Sequence, residues 1–296
     1  MAPKRRWKTL LSGNFIQLLG IVSHPLSPVG SARARHAPPG IRSHPPMSAR
    51  VPHGSVSQNA CTLPILSYHK VDEIPRDARF SCNYVWPRQF AAQLRLLRRA
   101  GFVSISLADY CAHRDGLLAL PARPIVITFD DGYRSNYSVA VPLLERYGFR
   151  ATFFIVSDYL GRTNAWDDER QEPLLSSEQI IAMHQAGFEI QSHTRTHARL
   201  PTLSVDRARE ELAGSRAALE NLIQAPVKAI AYPWGAYDES TIQLARDAGY
   251  SAGVIVRRRT NFSDTPIFAL RRIGINYETS YARFAWDLFR LRWRGA

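Results

Sequence analysis

A short apolar run that ends in two adjacent aspartates constrains the fold of this chain more than any other stretch. The run is Ile125-Val126-Ile127-Thr128-Phe129, and Asp130, Asp131 and Gly132 follow it directly. An apolar, β-prone run of this kind predicts a buried parallel strand. In α/β folds, functional sites lie at the C-terminal ends of such strands. Two neighbouring carboxylates repel each other unless a positive charge stands beside them, so the sequence predicts a metal ion at this strand end.

The candidate partners of these carboxylates are two histidines about sixty residues further on, in Ser192-His193-Thr194-Arg195-Thr196-His197. His193 and His197 also follow a short apolar run, and their spacing lets one helical turn or one tight loop bring both to a single ion. One aspartate, two histidines and an open position for water are the composition of a catalytic Zn²⁺-like site. Either motif alone is weak evidence, since an Asp-Asp pair is usually a solvated turn. Together, at two predicted strand ends, they indicate a site.

Strand-like and helix-like segments alternate from Leu63 to Trp293, which predicts an α/β protein with a mainly parallel sheet. A helix is predicted over 136–147 and a strand over 267–271. Ser106, either Ser176 or Ser177, and Asp238 are predicted to cap helices. The last predicted helix spans 281–293 and places Phe284 and Leu288 on one face. Trp286 and Phe289 are expected to widen that face and pack in the core, with a membrane or glycan surface as the alternative.

The N-terminal sixty residues differ in character from the rest of the chain. Residues 1–60 hold eight of the 38 Lys and Arg residues and none of the 25 acidic ones. They are rich in Pro, Arg and Ser without sustained periodicity, which predicts a disordered basic tail. A poor signal-peptide outline leaves export to the periplasm or cell envelope open against a cytoplasmic location. The true start, Met1 or Met47, stays open as well. The predicted domain therefore covers residues 61–296.

Composition excludes some classes of protein. Without the tail, 30 basic residues stand against 25 acidic ones, and no nucleic-acid-binding motif is evident, so a nucleic-acid partner is not expected. Weak attraction to a membrane surface remains an option. The three cysteines, Cys61, Cys82 and Cys111, are too few for a disulfide framework.

The two motifs together resemble the polysaccharide deacetylases of carbohydrate esterase family four, whose domain is also known from the nodulation-type deacetylases. The resemblance rests on Thr-Phe-Asp-Asp-Gly-Tyr, ending at Tyr133, followed by Ser-His-Thr-x-x-His, and runs from about Pro64 to about Asn276. It implies a distorted (β/α) barrel of about seven strands. It also implies metal-dependent removal of acetyl groups from polymers of amino sugars, with a divalent metal, Zn²⁺ first and Co²⁺ or Ni²⁺ as alternatives.

The resemblance also implies roles for individual residues. Asp131, His193 and His197 would hold the metal, and Asp130 would be the general base. The family's third motif carries an arginine that supports the base, but here Ala231 stands at that position, and Trp234 replaces a tyrosine whose backbone N–H helps to hold the oxyanion. The substrate-side candidates are Trp234, Tyr133 and Trp166, where Trp166 either lines the sugar groove or only holds its own loop in place.

A late Leu-x-x-His is also missing, since Leu270-Arg271-Arg272-Ile273 stands where it would fall. Tyr68-His69 resembles the start of the biofilm poly-N-acetylglucosamine deacetylases, a branch that lacks the third-motif arginine. On that basis His69 would be the general acid, and Arg271 or Arg272 would replace the lost arginine.

Three functions remain open at this point. The leading hypothesis is a metal-dependent hydrolase acting on an N-acetylated glycan. The others are a catalytically silent glycan-binding relative and a relative acting on a small C–N substrate. The sequence predicts neither the glycan nor the oligomeric state.

Overall fold

Seven parallel strands close into a barrel. The computed structural model describes residues 62–76, 78, 83–166 and 170–293. Around the barrel, β1 pairs with β5, and the order continues through β6, β7, β8 and β9 to β10, which pairs with β1 again. The predicted α/β barrel of about seven strands is therefore confirmed. The barrel strands are β1 (Ile65–Tyr68), β5 (Pro124–Phe129), β6 (Thr152–Ile155), β7 (Glu189–Ser192), β8 (Ala229–Ala231), β9 (Ala252–Val256) and β10 (Leu270–Gly274).

Three further strands lie outside this ring. β4 (Val103–Ser104) pairs with the start of β5, and β2 (Lys70–Val71) pairs with β3 (Tyr84–Val85) in a separate two-stranded sheet. Only His69 separates the end of β1 from the start of β2.

The helices begin where the sequence supplies caps. The side chains of Ser106, Ser176 and Asp238 each accept a hydrogen bond from a backbone N–H in the first turn of their helix, as predicted. Gly148 ends α3 in the left-handed conformation that glycine adopts without strain. The helices are α1 (Pro87–Arg99), α2 (Leu107–Arg114), α3 (Val141–Tyr147), α4 (Ser177–Gln185), α5 (Val205–Ile223), α6 (Glu239–Asp247) and α7 (Tyr281–Trp293).

Strand periodicity divides the core into two layers. Val126 belongs to the inner cluster with small and branched residues of the other strands, whereas Ile125, Ile127 and Phe129 pack in the outer layer beneath the helices. Because side chains alternate along a strand, Asp130 continues the inward set of Val126 and Thr128. The first carboxylate of the Asp-Asp pair is thus directed toward the barrel axis.

Three expectations need correction. The predicted helix over 136–147 begins as a π-helical turn, Asn136–Ala140, before α3, and the strand predicted at 267–271 is a 3₁₀ turn followed by β10. In α7, Phe284 and Leu288 are buried as expected, but Trp286 is 55% and Phe289 48% exposed, so these two do not widen the core face.

The predicted N-terminal tail and the ability of the helices to cross a membrane are two separate points. The predicted N-terminal tail lies outside the described residues. Within the part of the chain that the structure describes, no helix combines the length and apolar character that crossing a bilayer requires.

Candidate active site

The metal-ligand candidates converge at the C-terminal mouth of the barrel. The Nε2 atoms of His193 and His197 lie 3.3 and 3.4 Å from the same oxygen, Oδ1 of Asp131. The three ligand atoms all lie within 4.8 Å of one another, and all three side chains are buried. Asp131 Oδ1 accepts no hydrogen bond of good geometry. Two imidazole nitrogens converging on one buried carboxylate oxygen fit a divalent ion of the Zn²⁺ type.

The charge states at this cluster are set by burial and by the neighbouring groups. Burial alone would raise the pKa of Asp131, but His193 and His197 outweigh it and hold that pKa well below its usual range. Burial lowers the pKa of His197. For His193, burial also acts to lower the pKa, but Asp131 and Asp130 prevail and raise it.

The backbone at the site is bent into an uncommon conformation. Asp131, Thr194, His197 and Trp234 have positive φ angles of 72°, 65°, 61° and 62°. Among the described residues other than glycine, Gln224 alone shares this feature, at the end of α5. Each such residue costs on the order of 1–3 kcal/mol and persists only where surrounding contacts enforce it. The strain is therefore concentrated at the candidate site.

Helix α5 supplies the contacts that hold the histidine loop. The buried carboxylate of Glu211 accepts hydrogen bonds from the backbone N–H groups of Arg195 (2.9 Å) and Thr196 (2.8 Å) and from the hydroxyl of Thr196 (2.7 Å). The ring of His193 is oriented by a 2.7 Å hydrogen bond between its Nδ1 and the carbonyl of Ala231, which turns Nε2 toward Asp131.

Asp130 forms a buried, two-pronged ion pair with Arg272. The two guanidinium nitrogens Nη1 and Nη2 donate to Oδ1 and Oδ2 of Asp130 at 2.6 and 2.7 Å. Nη1 also donates to the hydroxyl of Thr128, and the guanidinium lies over the ring of Phe154. Burial acts to raise the pKa of Asp130, but the charge and hydrogen bonds of Arg272 outweigh it, so the pKa lies below its ordinary value. Asp130 is therefore held as a carboxylate beside the metal-ligand cluster.

His69 reaches the same mouth from the end of β1. Its Nε2 lies 3.9 Å from Oδ2 of Asp130, beyond hydrogen-bonding distance, and its side chain is 26% exposed. The structure thus brings a solvent-accessible imidazole next to the candidate base.

Two tryptophans enclose His197. The ring of Trp166 stacks on the imidazole at 4.8 Å, and the ring of Trp234 meets it at 5.0 Å and 65°. Trp234 Nε1 also donates a hydrogen bond to the carbonyl of His197 at 3.2 Å, although Trp234 itself is 51% exposed. Two of the three predicted aromatic candidates, the tryptophans, therefore border the metal-ligand cluster.

Tyr133 faces another part of the mouth. Its ring is buried, and the Nζ atom of Lys70 lies 4.4 Å from the ring centroid. Together with Tyr84, Arg134 and Glu172, these residues line a polar cavity of about 330 Å³. The structure therefore places the Tyr133 ring against Lys70.

Comparison with known proteins agrees with this geometry. Residues 119–253 match the family model of polysaccharide deacetylases. These residues form a polysaccharide deacetylase domain. Such a domain makes the chain a hydrolase acting on C–N bonds.

The similarity to individual deacetylases extends over most of the described barrel. YxkH of Bacillus subtilis (strain 168), named as a polysaccharide deacetylase, is 28% identical over 232 residues, covering 77% of this chain and 76% of YxkH. The poly-beta-1,6-N-acetyl-D-glucosamine N-deacetylase of Staphylococcus epidermidis is 25% identical over 220 residues, covering 70% of this chain and 74% of the relative. Among solved structures, the deacetylase PplD of Streptococcus pyogenes, in complex with acetate, matches with a TM-score of 0.68 and 26% identity, covering 77% of this chain and 98% of PplD.

Two residues of this deacetylase could not be assigned from sequence. Arg272 and Arg271 were equivalent candidates for the missing arginine, and the inward direction of Arg272 distinguishes them. Glu211 gave no signal, because a glutamate inside an amphipathic helix is usually a solvated residue. The backbone N–H groups between His193 and His197 need a hydrogen-bond acceptor. The sequence does not show that α5 supplies it, because that depends on how the helix packs beside the loop.

Proposed function

We propose that this polysaccharide deacetylase removes N-acetyl groups from a glycan that contains N-acetylglucosamine. The observation that carries the proposal is the convergence of Asp131, His193 and His197 next to a second carboxylate, Asp130, and a separate imidazole, His69. The name of the Staphylococcus epidermidis relative supports this substrate class, and the acetate complex of PplD supports the acetyl group as the part released.

Asp131, His193 and His197 would hold the divalent ion, which we propose is Zn²⁺. When bound, the ion supplies Lewis-acid chemistry: it polarises the acetyl carbonyl and makes a water molecule easier to deprotonate. Asp130 takes the proton from that water. Its two bonds to Arg272 keep it ionised and fix its orientation, so that the carboxylate is available as a base at neutral pH.

His69 gives a proton to the nitrogen of the departing sugar amine. An amine leaves an amide poorly as an anion, so this proton transfer is needed before the C–N bond can break. His69 Nε2 lies 3.9 Å from Asp130 Oδ2, too far for a hydrogen bond, so the imidazole is near the proposed base but free to donate its proton to the substrate.

Trp166 and Trp234 contribute substrate contacts on the His197 side of the mouth. Aromatic rings present flat apolar surface with a low entropy cost. Because both rings contact the imidazole of His197, a sugar ring seated against them would bring its acetamide close to the metal-ligand cluster. Tyr133 would contact the substrate from the cavity that it lines together with Lys70.

The decisive experiment measures acetate released from N-acetylglucosamine oligomers by the full chain. We expect release to stop on chelation and to return on addition of Zn²⁺. Asp131→Ala, His193→Ala and His197→Ala should each lose bound metal, measured by atomic emission, and activity. Full metal content in all three variants would refute the assignment of the ligands. No acetate from any oligomer with the metal-loaded protein would refute the substrate class.

A further inference from the structure

Arg199 stands out among the arginines around the histidine loop because its charge is unmatched. In the stretch from Arg195 to Arg216, the other arginines pair with Asp158, Glu210, Asp206 or Glu220. No carboxylate of the described residues forms an ion pair with Arg199, and its side chain is exposed. A guanidinium without an ion-pair partner can use its planar set of N–H donors to bind a ligand.

The position of Arg199 is fixed at both ends. Its carbonyl accepts hydrogen bonds from the backbone N–H of Thr202 at 3.0 Å and from the Thr202 hydroxyl at 2.7 Å. Its guanidinium lies 5.6 Å from the centroid of the Trp234 ring. A cation over an indole ring gains about 0.5–1 kcal/mol at an exposed site. The charge is therefore held at a defined place.

That place is the entrance to the active site. Arg199 is two residues from His197, and the Trp234 ring that supports its guanidinium also contacts the imidazole of His197. The guanidinium is thus one aromatic ring away from a metal-ligand candidate.

The electrostatic balance of the mouth favours an anion at this point. The charge of Asp130 is neutralised by Arg272 at 2.6 Å, and the nearby carboxylates Asp158 and Glu210 are both bound to Arg195. An unmatched positive charge at the edge of a cleft attracts ligands of opposite charge and repels those of the same charge.

We propose that Arg199, supported by Trp234, binds a carboxylate on the sugar unit next to the one that is deacetylated. The preferred substrate would then be an acidic N-acetylated glycan. This inference rests on the proposed function and refines its substrate class. It also implies that a neighbouring unit that is already deacetylated, and therefore carries an ammonium group, binds less well.

Three probes of equal length test the inference: a neutral N-acetylglucosamine oligomer, one with a carboxylate on every second unit, and one with every second unit deacetylated. The measured quantity is kcat/KM for acetate release by the metal-loaded full chain. A charge-assisted hydrogen bond at a partly exposed site corresponds to about a tenfold preference. We expect the wild-type order to be acidic, neutral, deacetylated, with about that ratio between the first two, decreasing at high salt.

Variants separate a specific contact from general surface charge. Arg199→Gln should bring the ratio of acidic to neutral probe close to one, and Arg199→Lys should keep part of the preference because the charge remains without the planar donor set. Arg209→Gln is the matched control, because this exposed arginine on α5 pairs with Asp206. It removes the same charge and should leave the ratio unchanged.

The outcomes distinguish the inference from the function beneath it. Hydrolysis of the neutral probe with equal ratios in wild type and Arg199→Gln would overturn the role of Arg199 alone. An equal loss of preference in Arg209→Gln would also overturn it, since long-range charge would then explain the selectivity. Failure to release acetate from all three probes would overturn both proposals.

Discussion

Replacing Arg272 by methionine tests the ion pair that supports the proposed base. Methionine fills much of the same buried space but leaves the carboxylate of Asp130 without its two hydrogen bonds of 2.6 and 2.7 Å. Removing one partner of a buried ion pair destabilises a protein by about 3–5 kcal/mol, because the other charge stays buried without compensation. Asp130 can avoid part of that cost by taking up a proton.

The variant should therefore change how activity depends on pH. In the wild type, Arg272 holds the pKa of Asp130 below its ordinary value, so the base is ionised at neutral pH. Without Arg272, burial is left as the main influence, and it raises the pKa of this carboxyl. We expect kcat/KM at neutral pH to fall by about 10²-fold, within the contribution of a positioned base, and the deficit to shrink as the pH rises.

Stability should respond to pH in opposite directions in the two proteins. In the wild type the folded-state pKa of Asp130 is lowered, so its stabilising contribution is present above the unfolded-state pKa and is lost as the pH falls through the folded-state value. In Arg272→Met the folded-state pKa is raised. The contribution is then present below the unfolded-state pKa and is lost as the pH rises through the folded-state value.

The assay combines acetate release and thermal unfolding between pH 4 and pH 9, about the range in which a carboxylate and an imidazole titrate. Bound metal is measured in each sample, and Arg271→Met serves as the control, because Arg271 neighbours Arg272 but does not contact Asp130. Arg272→Lys should recover part of the activity, since it keeps the charge without the two-pronged geometry. A folded, metal-loaded Arg272→Met protein with the wild-type pH profile would refute the reasoning.

Three further predictions address other parts of the site and the tail. His69→Ala should lower kcat by about 10²–10⁴-fold with unchanged metal content and melting temperature, and less for an ester substrate, whose leaving group needs less protonation; near wild-type amide hydrolysis would contradict the role. Glu211→Ala should lower the melting temperature and weaken metal binding by about 10–100-fold, measured by competition with a chelating dye, whereas Glu211→Gln should retain more of both. Removing residues 1–46 should leave melting temperature and acetate release nearly unchanged, and a large drop in melting temperature would show that the tail packs on the domain.

The barrel could be predicted from local patterns because each of its strands carries its own signal. The run ending at Phe129 is apolar throughout, and such a strand needs no knowledge of its neighbours to be recognised. Helix starts were equally local, since Ser106 and Ser176 bond within their own first turns. The short strands of the second sheet carry no such signal, because Lys70–Val71 and Tyr84–Val85 are two residues long and are defined by their pairing.

The candidate site was partly predictable for the same reason. The metal-ligand candidates belong to two local motifs of fixed spacing, one with Asp131 and one with His193 and His197. These motifs and the family resemblance were enough to assign all three residues to one site. The support for Asp130 was not local. Arg272 lies far away in sequence, and only the register of β10, with Leu270 in the inner core, decides that Arg272 faces the barrel axis and Arg271 does not. Although the third motif lacks its arginine, the carboxylate of Asp130 is paired with an arginine from another strand.

The contacts of the two tryptophans were also beyond prediction from the sequence. Trp166 lies in an irregular segment and Trp234 in a 3₁₀ turn, and both rings contact one imidazole, that of His197. Such convergence depends on the paths of two loops. The family resemblance nominated Trp234, and a predicted loop contained Trp166. Neither observation carries information on loop paths, so neither could show that the two residues share a neighbour.

The separate roles of two adjacent aspartates follow from where the strand ends. Period-two alternation directs Asp130 inward to Arg272, and the same alternation would direct Asp131 away from the barrel mouth. Instead the backbone turns at Asp131, with φ of 72°, and at Gly132, with φ of 76°. Glycine is required at the second position, because an added Cβ would lie 3.1 Å from Cδ1 of Ile155 in addition to the positive φ. The turn brings Asp131 back to His193 and His197 while Asp130 stays on the strand. Asp130 is thereby paired with a fixed cation, Arg272, and Asp131 faces the two histidines of the proposed metal site, so the two neighbouring carboxylates have separate partners.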